Sequence, residues 1–111
     1  IEVAACSGNC ILVKGDSNKG CSSYIGKIGG TQPLQLQYNG CVYHGVVQHE
    51  FMHALGFWHE QSRPDRDDYV TINWENIRSG TSSNFEKRTS SIGSLGSPYD
   101  YGSVMHYSRT A

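Results

Sequence analysis

The sequence predicts an α+β fold, and three observations predict it. Short strand-like runs come first, a single helix with three- and four-residue apolar spacing follows, and the remaining chain is irregular and rich in Ser and Gly. In order, "ILVK" from Ile11 to Lys14 reads as a strand that runs into the polar turn "GDSNKG". "SSYIGKIGG" and "PLQLQYNGC" read as two more strands. In the second of these Leu34, Leu36 and Tyr38 alternate with Gln35 and Gln37, the period of two expected of a half-buried strand. Asn39–Gly40 marks a turn.

From about Tyr43 to Leu55 the period changes. Val46, Val47, Phe51, Ala54 and Leu55 recur at helical spacing, and Gly56 is suited to end that helix in the left-handed conformation. Beyond it come a charged loop, "SRPDRDDY", a short apolar piece from Val70 to Trp74, and a Ser/Gly-rich run with one weak helical turn expected near Asn84 to Lys87. Arg63, Asp65, Arg66, Asp67 and Asp68 are expected to form a solvated, mutually paired surface, and their spacing is not that of an EF-hand calcium loop.

The chain has 111 residues, which suits one small domain, and a net charge of −1. That charge gives no basic footprint for nucleic acid, and no lysine run suggests an anionic membrane surface. No apolar stretch approaches the ~20 residues needed to span a bilayer, and the first ten residues lack the charged and apolar regions of a signal peptide. Cys6, Cys10, Cys21 and Cys41 form an even set with three pairings open. Disulfides are the better use for them, which implies an oxidising, secreted setting.

The chemistry concentrates in "HEFMHALGFWHE", His49 to Glu60. On a helix His49 and His53 share a face and can bind one ion from neighbouring turns. Glu50 lies about 100° round from His49, beside the ion rather than on it. Gly56, midway between His53 and His59, allows the sharp turn that returns His59 to the same ion. Three imidazoles with a fourth position open are the ligand set of a catalytic zinc, whereas structural zinc is closed by four protein ligands. Bound zinc lowers the pKa of its water to ~7, and Glu50 is placed to take that proton and pass it to a leaving amine.

This H-E-x-x-H-x-x-G-x-x-H pattern is that of the metzincin group of zinc peptidases. With Glu60 directly after His59, "HEFMHALGFWHEQSRPDRDDYVTINWENI" closely resembles the astacin family, and its wording is most like the hatching-enzyme branch. "SVMHY", Ser103 to Tyr107, resembles that family's Met-turn, and "GCSSYIGKIGGTQPLQLQYNGCVYHG" fits as well, so that the resemblance covers roughly residues 11 to 109.

The resemblance implies a truncated zincin-like (metzincin) fold: a small mixed sheet with an edge strand, the active-site helix, and a loop-rich C-terminal part with the Met-turn. It implies one partial catalytic domain over 1–111, with sheet and helix to about residue 59 and a lower subdomain from about 60. It implies one zinc ion on His49, His53 and His59, with Glu50 as general base. Met105 would be a hydrophobic floor beneath the histidines, and His106 would point away. Tyr107 would hydrogen-bond the developing oxyanion.

The same resemblance pairs Cys21 with Cys41. It leaves Cys6 and Cys10 either bridged to each other, as in hatching enzymes, or without partners. It makes the strand at Ser22 to Gly26 an edge that receives an extended protein or peptide substrate, and Glu60 a contact for a buried N-terminus. The expected function is that of a secreted, monomeric zinc endopeptidase. The alternative is a truncated, non-catalytic zinc-binding or protein-binding module derived from an astacin.

Overall fold

The computed structural model describes residues 6–89 and 96–111. It divides into two compact units, Ile1–Phe57 and Trp58–Ala111. The first holds a three-stranded mixed sheet of β1 (Cys10–Lys14), β2 (Cys21–Ser23) and β3 (Thr31–Leu36) in the order β1-β3-β2. β1 runs parallel to β3, with Val13 opposite Leu34. β2 runs antiparallel to β3, with Ser22 opposite Gln35, so β2 forms one edge of the sheet. The middle strand and the helix thus follow the period changes in the sequence. β2 is shorter than "SSYIGKIGG" suggests, because the chain turns away after Ser23 through Gly26, Gly29 and Gly30, all at positive φ.

Leu34 and Leu36 are buried, as their alternation implies, and form a core with Cys41 and Ala54, against which Ile11, Val46 and Val47 pack. The polar positions of β3 depart from expectation. Gln32, on the same face as Leu34 and Leu36, and Gln35, on the opposite face, are both buried. Their amides are used as ties: Gln32 Nε2 donates to the Gly26 carbonyl at 3.0 Å, its Oε1 accepts from the Ile28 N–H at 3.1 Å, and Gln35 Nε2 donates to the Asp16 carbonyl at 3.3 Å. Polar side chains that become buried on a central strand must find partners. Tyr38 falls beyond the strand, in the Tyr38–Cys41 turn, and is exposed.

Cys21 and Cys41 are joined, tying β2 to that turn, and Cys6 is joined to Cys10. Closing a loop with a sequence separation of 20 contributes ~3 kcal/mol in the chain-entropy account.

The helix His44–Ala54 ends as Gly56 suggests. Gly56 has φ +105°, its N–H donates to the His53 carbonyl at 2.8 Å, and the Phe57 N–H reaches back to Met52 at 3.0 Å. These are the two bonds of a Schellman motif, which satisfy carbonyls that a helix end otherwise leaves open.

The second unit is built from short 3-10 turns, Glu60–Ser62, Arg66–Asp68, Trp74–Asn76 and Ser82–Phe85, with no strand among its described residues. Val70 to Trp74 therefore forms no strand, and the weak helical turn expected near Asn84 lies at Ser82–Phe85.

The charges of the "SRPDRDDY" loop pair with one another as expected, and Asp67 and Asp68 are exposed, but its two arginines are not solvated. Arg66 is 4 % exposed. Its Nη1 donates to the carbonyls of Gln61 and Phe85, its Nε to Asp67, and the guanidinium lies over Trp74. Arg63 is largely covered as well, because it satisfies backbone carbonyls at Ser97 and Pro98 in addition to the carboxylates of Glu60 and Asp65. In both cases the charge sits where loop carbonyls need donors, which pairing among side chains alone does not supply.

Candidate metal centre

The helix places His49 and His53 one turn apart, with ring centroids 4.6 Å apart in an edge-on arrangement. Nδ1 of His53 lies 2.8 Å from the Phe57 carbonyl. A carbonyl only accepts, so Nδ1 carries the hydrogen and Nε2 keeps the lone pair a metal needs. Burial lowers the proton affinity of His53; the bond to Phe57 opposes this, and neighbouring His49 adds to it. The neutral, ligating form is thus favoured.

His59 follows in an extended conformation immediately before the Glu60–Ser62 turn. One ring nitrogen from each of His49, His53 and His59 can be chosen such that all lie within 4.8 Å of one another. The sequence-based expectation that three imidazoles converge is met. The donor set, three imidazoles with no carboxylate or thiolate among them, fits a single zinc ion with a position to spare.

Glu50 is 6 % exposed, and its Oε2 is buried without a hydrogen-bond partner among the described residues. Burial raises its proton affinity above that of an ordinary carboxylate, and His49 nearby pulls the other way. A buried carboxylate oxygen without a partner is costly unless something polar or cationic completes it. A cation on the neighbouring histidines is such a partner.

Tyr107 lies beside His59, with ring centroids 4.4 Å apart at 48°, and meets Phe85 edge-on at 5.5 Å. Met105 is buried, and its carbonyl accepts the Glu60 N–H at 2.9 Å. His106 is occupied elsewhere, its Nε2 2.7 Å from the Tyr99 hydroxyl and its Nδ1 2.6 Å from its neighbour's carbonyl. Glu60 Oε1 accepts from Arg63 and from the Asp100 N–H at 3.0 Å. Gln61 is a residue that the sequence does not single out. It is buried, and its Oε1 accepts the Tyr107 N–H at 3.1 Å. A lone glutamine in a charged loop carries no periodicity or motif that would mark it.

A family model described as Astacin, a peptidase family, matches residues 3–111. The chain belongs to the astacin family. It is 55% identical over 102 residues to zinc metalloproteinase nas-14 of Caenorhabditis elegans, covering 91% of this chain and 20% of that protein. It is 54% identical over 92 residues to the low choriolytic enzyme of Oryzias latipes, covering 83% of this chain and 33% of that protein.

Among solved structures, high choriolytic enzyme 1, a hatching enzyme zinc-protease from the same fish, superposes with a TM-score of 0.83 at 50% identity. That match covers 91% of this chain and 48% of the other. The astacin chain described here thus spans about a fifth to a third of the length of these curated relatives. The hatching-enzyme likeness of its wording and its zincin-like fold agree with these matches.

Proposed function

We propose that this chain is the zinc-bearing part of a secreted endopeptidase that hydrolyses peptide bonds in extended protein substrates. The observation that carries the reading is the buried carboxylate of Glu50, its Oε2 without a hydrogen-bond partner among the described residues, on the helix that contributes two of three clustered imidazoles. His49, His53 and His59 would hold the ion. When bound, zinc supplies a Lewis acid that acidifies water and polarises a carbonyl oxygen.

Glu50 takes the proton of the attacking water and returns it to the leaving amine. Its burial-raised proton affinity suits both halves of that task, since the group must accept a proton readily and hold it until the amine departs. Tyr107 donates its phenolic O–H to the oxygen that gains negative charge as the carbonyl becomes tetrahedral, an interaction typically worth ~2.7–4 kcal/mol. Met105 packs beneath the histidines and makes no bond to the ion.

Sheet and helix to about residue 59, and the Met-turn segment from about 60, serve as parts of one catalytic domain. β2, antiparallel to β3 and on the sheet edge, is the surface where an extended peptide adds a further antiparallel strand through main-chain hydrogen bonds. The two disulfides suit an oxidising, extracellular setting, and the protein acts as a monomer. The relatives' names, zinc metalloproteinase and choriolytic enzyme, support the same class of activity.

The test is Glu50→Gln, with zinc content and casein hydrolysis measured on one preparation, with and without a chelator. Zinc retained and hydrolysis abolished is the expected outcome. Hydrolysis by the variant removes Glu50 from the mechanism. Bound zinc without hydrolysis by the wild-type chain points to a non-catalytic zinc module.

A further inference from the structure

Tyr107 is held through its backbone as well as its ring, and the residue that holds the backbone has no place in the reading above. The Tyr107 N–H donates to Gln61 Oε1 at 3.1 Å. Gln61 is 2 % exposed, and the other end of its amide is also engaged, Nε2 donating to the Asn84 carbonyl at 3.4 Å. Its own carbonyl accepts from Arg66 Nη1 at 2.9 Å. One residue earlier, the Glu60 N–H meets the Met105 carbonyl at 2.9 Å. Two consecutive residues that follow His59 therefore grip Met105 and Tyr107, and His59 itself lies against the Tyr107 ring.

We infer that Gln61 is a positioning residue for hydrolysis: it fixes the backbone pivot of Tyr107, and so the place its phenol reaches, relative to His59. The inference rests on the proposed role of Tyr107. A phenolic oxygen sits at the far end of a rigid ring, so a small rotation at the backbone becomes a larger displacement at the donor. Misplacement by about 1 Å costs on the order of 100-fold in rate where geometry is tight. A glutamine suits the task because its neutral oxygen accepts an amide hydrogen in a buried place where a carboxylate would have to be desolvated.

The test compares zinc-loaded wild type, Gln61→Met, Gln61→Glu, Tyr107→Phe and the Gln61→Met/Tyr107→Phe double variant on one peptide substrate. Exchange of the Tyr107 backbone amide is followed in the same proteins. Gln61→Met keeps the shape and removes the acceptor. It is expected to lower kcat on the order of 10- to 100-fold with KM unchanged. Gln61→Glu, which retains an acceptor oxygen but must bury a carboxylate and cannot donate to the Asn84 carbonyl, is expected to restore only part of that loss. In the Tyr107→Phe background Gln61→Met should cost nothing further, since it acts through the hydroxyl already removed.

The Tyr107 amide should exchange at least about ten-fold faster in Gln61→Met. Gln61→Asn withdraws the same oxygen and carries the same expectations should the methionine variant not fold. Equal losses of kcat in both backgrounds, or an unchanged amide, overturn the role of Gln61. An inert Tyr107→Phe alongside a fast-exchanging Gln61→Met overturns the role of Tyr107, and the positioning role with it.

Discussion

Ile1–Phe57 and Trp58–Ala111 hold their histidines by different means. In the first unit His49 and His53 are placed by a repeating backbone. The helix fixes their separation, the Schellman bonds at Gly56 fix its end, and Leu34, Leu36, Cys41 and Ala54 fix its seat on the sheet. In the second unit His59, Met105 and Tyr107 lie on irregular chain, and buried polar side chains take the place of a ladder: Gln61, Ser62, Arg63 and Arg66 each donate to a loop carbonyl. A helix or sheet spreads its load over many equivalent bonds, whereas a tie made by one side chain has no neighbour to replace it. The second unit should therefore be the more sensitive to single polar substitutions and the first to loss of apolar volume.

The most severe break is expected at Arg66. Arg66→Met keeps the aliphatic bulk but leaves the Gln61 and Phe85 carbonyls without their donor. Each buried carbonyl orphaned in this way costs about 1–3 kcal/mol, so a loss of roughly 4 kcal/mol in urea unfolding is expected. A loss below about 1 kcal/mol would mean that the irregular unit does not depend on its polar ties.

Next comes Leu34→Ala, which empties a fully buried position in the sheet–helix core. About 3 kcal/mol is expected by the same measurement. Helical circular dichroism should be retained below the transition, because the helix keeps its own ladder. Loss of the helix signal would show that packing, rather than the repeat, places the two histidines.

The smallest effect concerns Asp65. The Arg63 hydrogen bonds hold its carboxyl below the ordinary value of 3.8. A carboxyl lowered on folding contributes stability that is fully present above its unfolded pKa and is lost as pH falls through the folded one. Asp65→Asn should therefore weaken the protein slightly at neutral pH and flatten the decline below about pH 4, with under about 1 kcal/mol at stake because solvent reaches the carboxylate even though Arg63 is largely covered. An unchanged acid limb would remove that ion pair from the stability of the loop.

The same contrast decides how much can be read from the sequence. The helix, its end at Gly56, the middle strand and the three histidines each carry a period or a motif, and all appear where the residues place them. Gln35 reads as solvent-facing yet is buried, because a period of two does not report whether a strand is central. Arg66 reads as a surface charge yet is covered, because composition alone cannot distinguish a loop arginine in water from one that serves buried carbonyls. Gln61 is invisible in the sequence, since its value lies in a partner 46 positions away in the chain.

The His53 carbonyl receives two amide hydrogens, from Gly56 and, across to the loop after β2, from Gly26, each at 2.8 Å. The two glycines are neighbours in space: a methyl group built on Gly26 would sit in ordinary van der Waals contact, 3.7 Å, with the Gly56 α-carbon. Sheet margin and ligand-bearing helix end are thereby in mechanical registry. Lengthening or stiffening the Tyr24–Gly30 loop should therefore be felt at the helix end that carries His53, although the loop itself holds none of the clustered imidazoles.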